Sequence, residues 1–159
     1  MAQITLDGIA HASPLYVANV NIPGVGPRNV VYVSTAHNSV YAFDADGLSA
    51  APYWHLSFNN PAAGVTVIPV ADADPDADIG PEIGNIGTPV IDAASGTLYI
   101  VARTKEVAGN TVNYVQRLHA LDIATGSEKF GGPVVIQGSV PGTGEGSNNG
   151  QLPFNPLRQ

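Results

Sequence analysis

Two stretches of this 159-residue chain repeat one another, and a repeat of this length constrains the fold before any other feature does. The first runs from Ser13-Pro14-Leu15-Tyr16-Val17 through Asn29-Val30-Val31-Tyr32-Val33 to Ser39-Val40-Tyr41-Ala42-Phe43-Asp44-Ala45-Asp46-Gly47, then Tyr53-Trp54-His55-Leu56. The second runs from Thr88-Pro89-Val90-Ile91-Asp92 through Gly96-Thr97-Leu98-Tyr99-Ile100-Val101 to Arg117-Leu118-His119-Ala120-Leu121-Asp122-Ile123-Ala124-Thr125-Gly126, then Lys129-Phe130. The spacing between matched residues drifts, as it does when loops take insertions while strands keep their register. Val31, Val33, Tyr41 and Phe43 alternate with smaller or polar residues at period two, the mark of half-buried strands rich in β-branched and aromatic side chains. Asp122 to Gly126 reads as a tight turn, with Asp accepting backbone N–H groups and Gly supplying a positive φ. No capped apolar stripe of helical period occurs.

The expected fold is therefore all-β, with two four-stranded antiparallel sheets. One spans about residues 9–58 and the other about 87–138. An acidic insert (about 59–86) lies between them, and a Gly-rich tail (139–159) follows.

The phrase Val-Tyr … Tyr-Ala-Phe-Asp-Ala … Trp resembles the repeat of pyrroloquinoline-quinone-like (PQQ-like) β-propellers. In that family a tyrosine-bearing strand leads to Ala-x-Asp-x-x-Thr-Gly and then a Trp. Tyr32, Ala42, Asp44 and Trp54 fill those positions in the first copy; Tyr99, Ala120, Asp122, Thr125, Gly126 and Phe130 fill them in the second. Two departures stand out: Phe130 replaces the Trp, and Asp46-Gly47 lacks the Thr. The insert and tail (Pro81 to Gly84, Phe130 to Ile136, Phe154 to Gln159) are similar to a bacterial extracellular branch of the family. The resemblance implies that each copy is one propeller blade, that the large ring docks near the small Ala of a neighbouring blade, and that the protein is secreted or periplasmic. A closed propeller takes about four to eight blades. Two blades imply either further blades of a longer parent chain or a homo-oligomer that completes the ring.

Composition removes several function classes. Net charge is −7, and six Lys+Arg cannot form the basic stripe that displaces counterions from nucleic acid. No apolar run approaches the length of about 18 residues that a membrane span needs. The N-terminus, Met1-Ala2-Gln3-Ile4-Thr5, has neither the basic nor the apolar region of a signal peptide. With no cysteine there is no disulfide, thiolate metal site or Cys nucleophile.

The candidate metal site is the acidic stretch Asp72, Asp74, Asp76, Asp78 and Glu82, five carboxylates that a Ca²⁺ ion seeking six to eight oxygens could gather. The match to an EF-hand loop fails, because Ala77 stands where the Gly is needed and Ile83 where the bidentate Glu is needed. The competing reading is a solvated acidic loop. His11, His37, His55 and His119 show no metal-ligand spacing, and His37 reads as a hydrogen-bonding turn residue. Gly142-Thr143-Gly144-Glu145-Gly146-Ser147 has neither the Lys nor the following helix of a phosphate loop. Asp92 and Asp122 follow strands at turn positions, where Asp serves the backbone rather than glycoside chemistry.

No catalytic residue is assigned on these grounds. The leading functional reading is a non-catalytic propeller module whose polar loops contact a protein or a carbohydrate. One alternative is a fragment of a quinone-dependent dehydrogenase or another propeller enzyme. Against it stand a single Trp to stack on a quinone and the absence of the vicinal cysteines that many such enzymes carry. Another is a self-assembling structural protein built from two-blade units.

Overall fold

A computed structural model describes residues 3–73 and 79–157 of the chain. Its secondary structure is almost wholly strand. The first copy of the repeat gives β1 (Leu15–Ile22), β2 (Gly26–Ser34), β3 (Ser39–Asp44) and β4 (Trp54–Ser57), joined in chain order as an antiparallel sheet. Register places Leu15, Tyr32, Ala42 and Trp54 side by side on one face, with Ser34, Val40 and Leu56 on the same face one step along. Neighbours in a row share a face because side chains alternate along every strand.

The insert is more ordered than a loop. A 3-10 turn (Pro61–Ala63) leads into β5 (Val65–Pro69), then a single helical turn, α1 (Val70–Ala73), and β6 (Glu82–Ile83). The second copy gives β7 (Val90–Asp92), β8 (Thr97–Ala108), β9 (Thr111–Asp122) and β10 (Val134–Val135). These four lie side by side as β7-β8-β9-β10, as expected. The insert then adds to them: β7 takes the side of β8 at Thr97–Tyr99, and β5 takes the same side at Thr104–Glu106. The second sheet thereby grows to six strands, because β8 and β9 run on for 12 residues each, past the reach of β7. The tail closes as its own hairpin, β11 (Ser139–Pro141) with β12 (Gln151–Pro153).

The two sheets pack face to face and enclose the core. Val30, Tyr32, Val40 and Ala42 of the first sheet meet Leu98, Ile100, Leu121 and Ile123 of the second, all buried. Fully burying an aliphatic side chain stabilises by about 1.5–3 kcal/mol, so this layer is the main source of cohesion. Repeat-equivalent residues also touch: the Ser13 N–H donates to Thr88 Oγ1 at 3.2 Å, tying together the segments that open the two copies.

Candidate functional site

The junction between the sheets is the most specific arrangement in the molecule. The carbonyl of Ile123 accepts two hydrogen bonds from the other sheet, from the Tyr32 hydroxyl at 2.9 Å and from Trp54 Nε1 at 3.0 Å. The two rings stand 5.9 Å apart at a tilt of 44°, a favourable aromatic geometry. Burial, reinforced by nearby Asp122, pushes the Tyr32 hydroxyl pKa well above its usual value, so it is a donor at any ordinary pH.

The accepting turn is built by its own sequence. Asp122 Oδ1 accepts the N–H groups of Ala124 at 2.9 Å and Thr125 at 3.0 Å, and the Gly126 N–H returns to the Asp122 carbonyl at 2.8 Å. Gly126 has φ +73°, and a Cβ there would lie 2.7 Å from the Trp54 ring. Trp54 thus docks on the Gly of the neighbouring turn. Asp44 builds the matching turn in the first sheet, accepting from the N–H groups of Asp46 and Leu48.

The carboxylates of the acidic stretch go separate ways. Asp72 accepts from Lys105 Nζ at 2.6 Å and from the Tyr114 hydroxyl at 3.0 Å, and the lysine bond holds its pKa below the usual carboxylate value. Glu82 pairs instead with His37 Nδ1 at 2.9 Å. Asp74, Asp76 and Asp78 lie outside the described residues. Asp72 therefore anchors α1 to β8 and β9, while Glu82 anchors β6 to the turn before β3. Among the described residues no group of three or more His, Cys, Asp or Glu side chains gathers as a metal site.

Asp92 and Asp122 serve their own turns, Asp92 holding the Ala94 N–H and the Ser95 hydroxyl. Glu145 and its glycine-rich neighbours form the loop of the tail hairpin, with no helix behind them.

One cluster escapes sequence reading. His119 Nδ1 donates to Glu128 Oε2 at 2.9 Å, and Glu128 Oε1 accepts the Ala120 N–H at 3.0 Å. Phe58 from the first sheet's last loop covers the imidazole at 4.0 Å. Beside them Arg117 pairs with Glu106 and Thr104, and Arg117 and Thr104 line a small cavity of about 140 Å³ with Phe58, Ala102 and His119. The signal available was the turn after Asp122, which folds Glu128 back opposite Leu121 and so within reach of His119.

Burial pushes the His119 imidazole below the ordinary histidine range; Glu128 pulls it up and Arg117 pushes it down. The unfolded chain therefore binds this proton more readily than the folded one does. Stability should be full above about pH 6.5 and fall as the pH drops from there towards the folded-state pKa. Urea unfolding across that window is expected to show the decline, and His119→Gln should remove it. The lowered carboxylates Asp72 and Glu106 act in a separate window, below about pH 4.

The second sheet's other face is open. Register puts Tyr99, Val90 and Ala120 in one row and Val101, Leu118 and Val134 in the next. Val90 is 65% exposed and Val134 64%, and a groove of about 320 Å³ runs between Val90, Tyr99, Val101, Arg103 and Leu118. The first sheet's outer face is better covered, because Tyr41 stacks on His55 at 4.2 Å and on Phe43 at 5.4 Å, although Tyr16 stays 61% exposed. No helix of the described residues is long and apolar enough to cross a membrane. Comparison with family models, with curated proteins and with solved structures finds no match to this chain.

Proposed function

We propose that the two sheets are adjacent blades of a PQQ-like β-propeller and that the chain works as a non-catalytic binding or scaffold module outside the cytoplasm. The observation that carries this is the double hydrogen bond from Tyr32 and Trp54 to Ile123. The residues that make the repeat recognisable are the ones that join one sheet to the next, as blades require. Scaffolding fits the use of the ionisable groups: Asp44, Asp92 and Asp122 hold turns, while His37, Lys105, Arg117 and His119 each face a carboxylate. Polar loops at the ends of the sheets offer hydrogen-bonding contacts to a protein or a carbohydrate.

The test against the dehydrogenase alternative is direct. After incubation with PQQ and calcium and then gel filtration, the protein is expected to elute free of quinone absorbance. Stoichiometric co-elution of the quinone would overturn the non-catalytic reading.

Calcium is not a resident ion in this proposal. Asp72 and Glu82 already have cationic or hydrogen-bonding partners, which removes two of the five carboxylates from a shared site. A ligand of the native state raises stability by RT ln(1 + [L]/Kd). The melting temperature is expected to be the same in millimolar calcium and in chelator, and a clear rise with calcium would assign the ion to the insert.

A further inference from the structure

We infer that the outer face of the second blade docks on the first blade of another copy of this chain, repeating between copies the junction found within one. The inference rests on the propeller reading above and names the partner that its open face takes. Within a copy the junction has a giving side, Tyr32 and Trp54, and a receiving side, the turn from Asp122 to Gly126.

The giving side exists a second time. Tyr99 pairs with Ala120 as Tyr32 pairs with Ala42. The Lys129 N–H donates to the Ala120 carbonyl at 2.7 Å, as the Tyr53 N–H donates to the Ala42 carbonyl at 2.8 Å, so Phe130 follows the same hydrogen bond that Trp54 follows, although it stands in a turn at φ +57° rather than at the start of a strand. Tyr32 and Trp54 are engaged, whereas Phe130 is 73% exposed and the Tyr99 hydroxyl makes no hydrogen bond among the described residues.

The receiving side also exists a second time. The Ala45 N–H bonds to the Asn29 carbonyl at 2.9 Å, as the Ile123 N–H bonds to the Gly96 carbonyl at 3.1 Å. Gly47 has φ +72°, matching Gly126 at +73°, yet nothing lies within 4 Å of where its Cβ would stand. In Gly126 that space holds the Trp54 ring. Each copy thus presents an unused giving side on its second blade and an unused receiving side on its first.

A second copy supplies both missing halves at once, its receiving side to one neighbour and its giving side to the other. Such a contact is head-to-tail, and it closes into a ring or propagates according to the rotation between copies. It is weaker than the internal junction, because the Phe130 side chain has no N–H to donate where Trp54 uses Nε1, and the Asp44 turn is a residue shorter. Association should therefore be reversible. With each copy at −7, it should also strengthen with salt as like-charge repulsion is screened.

Sedimentation velocity from micromolar to millimolar protein should show concentration-dependent association that Phe130→Ser abolishes while leaving the far-ultraviolet circular dichroism unchanged. Because the chain has no cysteine, Phe130→Cys and Leu48→Cys can be prepared separately and mixed under mild oxidation. The mixed disulfide between them should predominate over either like pair. A single 16.3 kDa species throughout, or like-paired disulfides alone, would overturn the second-copy proposal. Failure of the propeller reading itself would show elsewhere, as an internal junction that tolerates loss of Trp54.

Discussion

Trp54→Ala is expected to cost about 3–5 kcal/mol of unfolding free energy, the range for removing a large ring from a packed site. The substitution removes packing against Tyr32 and Gly126 and deletes one of the two donors to the Ile123 carbonyl. Trp54→Phe should cost less, since it keeps most of the ring and loses only the N–H. Gly126→Ala attacks the same contact from the other side, through a positive φ and a Cβ that would lie 2.7 Å from the indole. The two losses should not add in the double variant, because residues in contact share one interaction. Urea denaturation at a concentration low enough to suppress association measures all four. A Trp54→Ala variant with wild-type stability would remove the junction from its place at the centre of this account.

Gly84→Ala should be nearly as damaging, by about 3 kcal/mol, the upper part of the usual cost of overpacking. A Cβ on Gly84 would stand 2.2 Å from the Ala36 carbonyl oxygen and 2.5 Å from Asn38 Oδ1. Neither can give way. The Ala36 N–H is tied to the Ile9 carbonyl at 2.8 Å. Asn38 is fully buried and donates to both Asn59 Oδ1 and the Arg103 carbonyl. Asn38 Oδ1 has no hydrogen-bond partner and rests against the bare Gly84 backbone, so a methyl group would meet an oxygen already short of compensation. Gly87→Ala is the control: no atom lies within 4 Å of its Cβ position and its φ is not positive, so it should be neutral or stabilise by up to about 1 kcal/mol.

The strands that carry the repeat were legible because their β-branched and aromatic residues recur at period two, although β3 is buried on both faces. Tyr32, Ala42 and Trp54 stood out as repeat positions, but that they share one row follows from register, which period two does not fix. The docking partner of Trp54 could not be placed either, since it depends on how far the Asp122 turn projects between sheets. The insert was misread for a different reason. Val65-Thr66-Val67-Ile68-Pro69 has strong strand character, but its partner, β8, is some 40 residues downstream. Long-range pairing leaves no local mark, and the acidic run after it draws attention to solvent. The tail hairpin was hidden likewise, because its glycines read as flexibility while β11 and β12 are only three residues each. His119 and Glu128 came together through a turn whose return path no spacing rule specifies.

The shared side of β8 has a further consequence for how this chain stays a well-behaved protein. Without β5, the backbone N–H and C=O groups of Thr104 to Glu106 would stand unpaired on a long, regular strand, a ready template for any passing β-segment. The insert acts as a guard on that strand, and the Lys105–Asp72 pair latches it shut. Shortening the region between the two repeats would look harmless in sequence, since it removes only an acidic linker. It would instead expose a sticky border that recruits strands indiscriminately.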